Sequence, residues 1–245
     1  MVKENLKIIY NKEIAKDTFE LMFETKEMAS LSKPGMFINI SLKDESKLLK
    51  RPISICQIKD NNLVITYKIN GEGTRQLSTY LTGMELEVLG PLGNGYPLVE
   101  NQKVLLVGGG IGVPPLLELA RNLKNCDITT ILAFRDQESM FYLEEFQKLG
   151  KVVVTTDNGS YGYHGNAIQY LNETNVEFDT LYSCGPEILL KKLEEKYQGR
   201  NGYLSYEARM ACGVGLCHGC VKGEHHHCVC TDGPVFKLGV IYGEC

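Results

Sequence analysis

A chain of 245 residues, with 43% hydrophobic and 23% charged side chains, has the balance of a globular protein and room for one large domain or two ordinary ones. No apolar run approaches the roughly 18 residues that a membrane span needs, and residues 1–7 hold no apolar stretch, so neither a span nor a secretory signal is expected. With a net charge of −4, composition offers nothing to nucleic acid; a cytoplasmic protein without nucleic-acid or membrane partners is expected.

Through about residue 98 the pattern is one of short strands. Apolar-rich segments at 19–23, 36–40, 54–58, 63–69 and 84–89 read as strands. Asp60, Asn61 and Asn62 look like a hairpin turn, and the run Gly90-Pro91-Leu92-Gly93-Asn94-Gly95 is a dense turn signal. Strands this short and closely spaced predict a small antiparallel barrel or sandwich. After Pro97 strands at 104–107, 129–134, 152–155 and 180–183 alternate with helical stretches at 116–123, 140–148, 167–171 and 187–197, which predicts a parallel sheet covered on both faces. From Asn201 onward Gly, Cys and His rise and no helical period persists. The expected fold is a β-barrel domain over 1–98, an α/β parallel-sheet domain over 99–200 and a small cysteine-rich domain over 201–245.

The cysteines carry the most specific signal. Nine is an odd count in a chain too large to need disulfides and without signs of export, and six of them crowd the last 34 positions (212–245), which points to metal ligation. Cys212, Cys217 and Cys220 form a C-x4-C-x2-C run, the plant-type spacing for a [2Fe–2S] cluster whose fourth thiolate arrives from further along. Gly213, Gly215 and Gly219 let a tight loop fold around an inorganic core with its N–H groups free to face sulfur. Structural zinc and unligated cysteines are the alternatives, but zinc knuckles prefer paired short spacings. Cys228 and Cys230 can each reach as fourth ligand, and Cys245 reads as a bystander. The run His225-His226-His227 reads as a solvated loop; a Rieske-type centre would want His in place of two Cys, and four Cys are at hand.

Two further signals concern nucleotides. Val107 leads into Gly108-Gly109-Gly110-Ile111-Gly112, glycines at a strand-to-helix turn where a phosphate can approach backbone and helix N-terminus, although the spacing is not the G-x-G-x-x-G fingerprint. Asp157-Asn158-Gly159 and Cys184-Gly185-Pro186 also follow apolar strands, and three such loops at strand ends line the ligand crevice of an open parallel sheet. No basic cluster follows the second strand of that domain: Arg135 is flanked by Asp136 and Glu138, which disfavour a 2′-phosphate and favour NAD over NADP. Upstream, Arg51-Pro52-Ile53-Ser54 sets an Arg on a strand, suited to a pyrophosphate, and Gly71-Glu72-Gly73-Thr74 adds backbone donors and a hydroxyl.

In this order the three signals resemble the ferredoxin-reductase superfamily, and with residues 210–220 and 230–236 they resemble its branch of electron-transfer subunits of class 1B dihydroorotate dehydrogenase, over nearly the whole chain. By that resemblance Arg51, Pro52, Ile53 and Ser54 would hold FAD, with Arg51 on the pyrophosphate and Ser54 by the reactive ring nitrogen. Thr66, Tyr67, Lys68, Gly73 and Thr74 would complete the flavin site. Gly108, Gly110 and Gly112 would contact NAD, and Cys184 with Gly185 would lie near the nicotinamide–flavin contact. The fourth ligand in that family immediately precedes x-D-G-P-V-F, which selects Cys230 beside Cys212, Cys217 and Cys220; the stretch before it is short and His-rich here. The resemblance implies a partner, an FMN-containing catalytic subunit that oxidises dihydroorotate, in a heterotetramer of two copies of each. A related subunit of a ferredoxin:NADP+ oxidoreductase or sulfide dehydrogenase has Asp where Cys212 stands, and a zinc-stapled nucleotide-binding module without redox activity is the reading from another class. FAD joins hydride transfer to one-electron transfer, so no acid–base pair is required, and the sequence offers none.

Overall fold

The structure is a computed structural model that describes residues 1–44 and 46–243. Cys245 lies outside the described residues.

The first part of the chain is a closed six-stranded barrel. Its strands are β1 (Val2–Ala15), β2 (Thr18–Glu24), β3 (Phe37–Ile40), β4 (Arg51–Lys59), β5 (Asn62–Lys68) and β6 (Glu85–Leu92), with a single helical turn α1 (Met28–Leu31) after β2 and a short helix α2 (Glu72–Ser78) after β5. The barrel closes in the order β1-β2-β5-β4-β3-β6, every pair antiparallel, around Leu6, Ile8, Leu21, Phe23, Ile38, Ile40, Ile55 and Ile65. The hairpin expected at residues 60–62 is formed, with Asp60 at φ 50°.

Two elements differ from the sequence reading. The fourteen-residue β1 is absent from it, because irregular register between Ile8 and Tyr10 and between Glu13 and Ala15 breaks the alternation of buried and exposed side chains. β6 runs on to Leu92, through half of the segment read as a turn. Pairing overrides local turn preference there: Gly90 pairs with Val2 and Leu92 with Phe37, and a Cβ on Gly90 would meet Ile38 at 2.8 Å.

The second part is a seven-stranded sheet. β7 (Lys103–Gly109), α3 (Pro114–Asn122), β8 (Asp127–Phe134), α4 (Leu143–Gln147), β9 (Lys151–Thr156), the two-residue β10 (Tyr163–His164), α5 (Ala167–Glu173), β11 (Thr180–Cys184), α6 (Glu187–Lys196) and β12 (Gly202–Ser205) follow in chain order. The two-residue strands β13 (Val221–Lys222) and β14 (His227–Cys228) make a separate hairpin, and β15 (Val235–Lys237) returns to the sheet edge. The strand order is β10-β9-β8-β7-β11-β12-β15, parallel throughout except β15. Alternation along β7 shows why both faces are covered: Val104 and Leu106 pack with Leu116, Leu117 and Ala120 of α3, whereas Leu105 and Val107 pack with Leu171 of α5 and Leu189 and Leu193 of α6. The helix read at 140–148 shortens to α4, since Tyr142 adopts a left-handed backbone (φ 61°, ψ 15°). The sheet does not stop at residue 200: β12 pairs with β11, and β15 with β12, so both ends of the cysteine-rich segment are anchored in it.

Barrel and sheet are joined through α3. Val64 and Cys56 of the barrel share a core with Leu116 and Leu119, and the Glu118 carboxylate accepts the Ile58 N–H at 3.0 Å and the Asn122 side-chain amide at 3.0 Å. Arg121 donates to the Gln57 side-chain carbonyl at 2.7 Å. Replacing the buried Glu118 by Ala leaves those donors unmatched inside the joint, and is expected to lower stability by about 1–3 kcal/mol, read as a lower urea midpoint with unchanged far-UV signal in the native baseline.

Candidate redox site

Parallel sheets bind ligands where strand order reverses. Here the chain runs outward from β7 through β8, β9 and β10 and then returns to place β11 on the other side of β7, so the reversal lies between β7 and β11. A cleft of about 420 Å³ opens there, lined by Gly109, Gly110 and Ile111 from the turn after β7, Phe134 and Arg135 after β8, Asp157 after β9, Phe141, and Pro186 and Leu189 at the start of α6. Gly110 thus faces the cleft. Gly108 and Gly112 do not line it: a Cβ on Gly108 would meet Val113 at 2.8 Å, and one on Gly112 would overlap the Cys184 carbonyl. Gly108 lets the start of α3 lie close on β7, and Gly112 lets the turn after β7 approach the end of β11. Cys184 is buried in the core beneath the cleft, its thiol pushed up by burial, and Gly185 takes φ +159° beside it.

A second cleft, about 400 Å³, runs along the barrel. Arg51, Pro52, Ile53 and Ser54 of β4, Thr66, Tyr67 and Lys68 of β5, and Thr74 of α2 all line it. Gly73 packs directly under Arg51, where any Cβ would collide with the guanidinium, and Arg51 also donates to the Leu49 carbonyl. Gly71-Glu72-Gly73-Thr74, read as a glycine-rich loop, is the entry to α2; the Thr74 hydroxyl accepts the Asn70 N–H at 2.7 Å and so ties the turn to the end of β5. Tyr67 is fixed by its hydroxyl donating to Asn11 at 3.0 Å and by stacking on Phe19. Lys68 and Ile111 line both clefts, which therefore abut.

Sequence reasoning missed the third wall of the barrel cleft. Tyr206, Glu207, Ala208 and Met210, the segment leaving β12, cover it together with Phe37 and Pro234. Nothing local marks these residues; they arrive there because β12 extends the sheet beyond β11. Two residues past Met210 the cysteine loop begins.

The loop is arranged around its sulfurs. Cys212 receives N–H groups from Val214 and Cys217, each at 3.4 Å, Cys230 receives Gly215 N–H at 3.2 Å, and Cys217 receives Gly219 N–H at 3.5 Å. The Val214 amide, with further help from Cys217, holds the Cys212 thiol down at about 6, whereas burial beside Cys220 pushes Cys230 up to about 11. Cys217 thus neighbours Cys212, and Cys220 neighbours both Cys228 and Cys230. Among the described residues no three His, Cys, Asp or Glu side chains converge as ligands of a single ion. Cys228 ends β14, and its sulfur lies 3.4 Å from His218 Nδ1. His225 and His226 form the β13–β14 turn, with His226 at φ 55°, and the His227 ring leans on Phe236. The barrel grips the loop from below through Asn94, which donates from its backbone to Gly233 at 2.6 Å and from its side chain to the Thr231 and Asp232 carbonyls at 3.2 and 2.9 Å.

Residues 207–241 match the family model of the iron–sulfur cluster binding domain of dihydroorotate dehydrogenase B. Over almost its full length the chain is 40% identical to the dihydroorotate dehydrogenase B (NAD(+)) electron transfer subunit of Bacillus cereus strain B4264, covering 98% of this chain and 99% of that protein. It is 42% identical to that of Shouchella clausii strain KSM-K16, with 96% of each chain covered. The chain belongs to this family of electron transfer subunits. Membership makes it an oxidoreductase subunit with an iron–sulfur domain at its C-terminal end. A solved NADH-dependent reduced ferredoxin–NADP oxidoreductase superposes with a TM-score of 0.87 at 27% identity over 97% of this chain and 90% of that one. Phthalate dioxygenase reductase superposes with 0.62 at 18% identity over 90% and 86%, a likeness of fold alone. The barrel, parallel sheet and cysteine-rich segment expected from the sequence are thus present in the order expected.

The backbone crossing beneath the sheet cleft is open to test. Gly112→Ala places a methyl group into the Cys184 carbonyl, and is expected to separate the ends of β7 and β11 and abolish NADH binding; isothermal titration of the purified chain with NADH, beside wild type, measures it.

Proposed function

We propose that the chain carries electrons between NAD and a catalytic partner by way of FAD in the barrel cleft and a [2Fe–2S] cluster held by Cys212, Cys217, Cys220 and Cys230. The observation that carries the reading is the meeting of the two clefts at Lys68 and Ile111, with residues 206–210 leading from the wall of the barrel cleft straight into the cysteine loop. When bound, FAD supplies the junction between two-electron hydride chemistry and one-electron transfer.

The residues present fit these groups. Arg51, seated on Gly73, offers its guanidinium to a pyrophosphate as a fork of donors. Pro52, Ile53 and Tyr67 give an apolar wall for an aromatic ring, with Ser54 and Thr66 as the polar atoms beside it. Gly109 and Gly110 bring bare backbone to the nucleotide cleft, and the 3-10 turn Gly110–Gly112 leads into α3, so peptide N–H groups face a phosphate. Arg135 is held by Asp136 at 2.9 Å, and Asp136 also caps Ser139, an arrangement that suits a free ribose hydroxyl better than a 2′-phosphate and so supports NAD. Tyr206, Met210 and Phe37 exclude water from the barrel cleft on the side facing the cysteines. Cys212, Cys217, Cys220 and Cys230 would hold the cluster by their sulfurs, and the amides aimed at Cys212, Cys217 and Cys230 would stabilise thiolate charge. Cys230 rather than Cys228 would be the fourth ligand because its sulfur accepts the Gly215 N–H of the loop, whereas that of Cys228 lies against His218.

The exposed edge of the loop, Leu216 and Cys217, is the exit toward the partner. That partner is the FMN-containing catalytic subunit that oxidises dihydroorotate to orotate, in a heterotetramer of two copies of each chain; the relatives' name, electron transfer subunit of dihydroorotate dehydrogenase B (NAD(+)), supports it. No helix among the described residues is long and apolar enough to cross a membrane.

Visible absorption of anaerobically purified protein, before and after NADH, tests the relay. Flavin and cluster bands that both bleach support it, and a colourless, zinc-loaded protein overturns it. Cys230→Ser is expected to strip iron from the chain and leave the flavin bands, while Cys228→Ser keeps its iron; iron assay on the two purified variants separates the ligand from its neighbour.

A further inference from the structure

Tyr142 is a bulky residue held in the left-handed backbone region, at φ 61° and ψ 15°, a conformation that persists only where the surroundings enforce it. The enforcement is visible. Its ring meets Phe141 edge-on at 5.3 Å, Phe141 meets Phe134 at 5.2 Å, and both phenylalanines line the nucleotide cleft. From that anchorage Tyr142 reaches back into the barrel. Its hydroxyl donates to the Glu20 carboxylate at 2.6 Å and stands 2.6 Å from the hydroxyl of Thr66, a residue that lines the other cleft.

The direction of these hydrogen bonds follows from counting protons. Glu20 also accepts from the Tyr10 hydroxyl at 2.8 Å and pairs with Lys12 at 3.4 Å. Burial alone would raise its carboxyl, but the donors from Tyr142, Tyr10 and Lys12 outweigh that and hold it below the usual carboxylate range, so it is an acceptor. Tyr142 spends its single proton on Glu20. The proton between Tyr142 and Thr66 must then come from Thr66, because two oxygens do not stand 2.6 Å apart without one. Thr66 is left with lone pairs alone. Cys56, packed against both hydroxyls, does not reverse this: burial pushes its thiol up to about 12, so it stays a neutral, weak partner.

We infer that Tyr142 is a positioning residue that, by way of Glu20, fixes the Thr66 hydroxyl as a hydrogen-bond acceptor toward the barrel cleft, so that this wall selects a ligand presenting a ring N–H. The inference rests on the reading of that cleft as the FAD site; the isoalloxazine carries such N–H groups. Because Phe141 and Tyr142 are consecutive, the same peptide that lines the nucleotide cleft sets the polarity of the flavin cleft, and the strained backbone is what lets two neighbouring side chains serve opposite clefts.

The test is a double-substitution cycle on the full-length flavin-loaded chain, read as the FAD dissociation constant and the shape of the flavin visible band. Tyr142→Phe frees Thr66 to rotate, and is expected to weaken FAD by roughly 5- to 10-fold and alter the band, as loss of one oriented hydrogen bond would. In a Thr66→Val background the same substitution is expected to change neither reading. An equal loss in both backgrounds, or none in either, overturns the role of Tyr142. Should Tyr142→Phe not fold, Glu20→Gln serves in its place, since an amide N–H facing the Tyr142 oxygen reverses the chain. Arg51→Ala reports on the cleft separately: FAD binding unchanged in it overturns the cleft assignment together with the inference, whereas FAD binding lost in it with an additive Tyr142 cycle overturns the inference alone.

Discussion

One close backbone approach organises the functional face of this molecule. The turn after β7 and the end of β11 touch across the point where the sheet reverses direction, at a position where only a hydrogen atom fits between Gly112 and the Cys184 carbonyl. That contact sets both strand ends at one level, opens the nucleotide cleft above them, and brings Ile111 to the barrel. It also fixes the next step outward, because β12 extends the sheet from β11 and delivers residues 206–210 to the opposite wall of the barrel cleft. A shift of a few tenths of an ångström at the crossing would propagate to three sites, since packed interiors transmit displacement rather than absorb it.

Polar contacts join the parts where a relay needs them rigid. Glu118 and Arg121 of α3 bind β4, Tyr142 binds Glu20 and Thr66, and Asn94 binds the Thr231, Asp232 and Gly233 carbonyls. Glu118, Gln57, Glu20 and Thr66 are buried, so separating the units there would strand polar groups at the cost of roughly 1–3 kcal/mol apiece. Electron transfer between fixed cofactors asks for that constancy, and no moving lid is needed for chemistry that transfers no proton between side chains.

Two relationships bear on what the scaffold serves. At about 40% identity the relatives are electron transfer subunits of dihydroorotate dehydrogenase B, while a reduced ferredoxin–NADP oxidoreductase shares the backbone at 27%. The backbone of barrel and sheet is thus shared between proteins of different function.

How much was legible in the sequence divides along physical lines. The cysteine spacing, the glycine turn after an apolar strand and the Arg-x-x-Ser segment are local signals, because phosphate and iron–sulfur groups demand backbone freedom and ligands within a few residues; from them came the order of barrel, sheet and cysteine loop. The strand–helix rhythm after Pro97 foretold a sheet covered on both faces. What the sequence could not state was decided by pairing and packing at a distance. β1 stayed hidden because its bulges break the alternation, and β6 overran a turn signal because two neighbouring strands offered it hydrogen bonds. Gly108 and Gly112 look no different from Gly110 as letters, yet only Gly110 faces the cleft. Tyr142, Glu20 and Thr66 lie on three separate elements, and their shared protons have a direction only once the tertiary structure has placed their oxygens 2.6 Å apart.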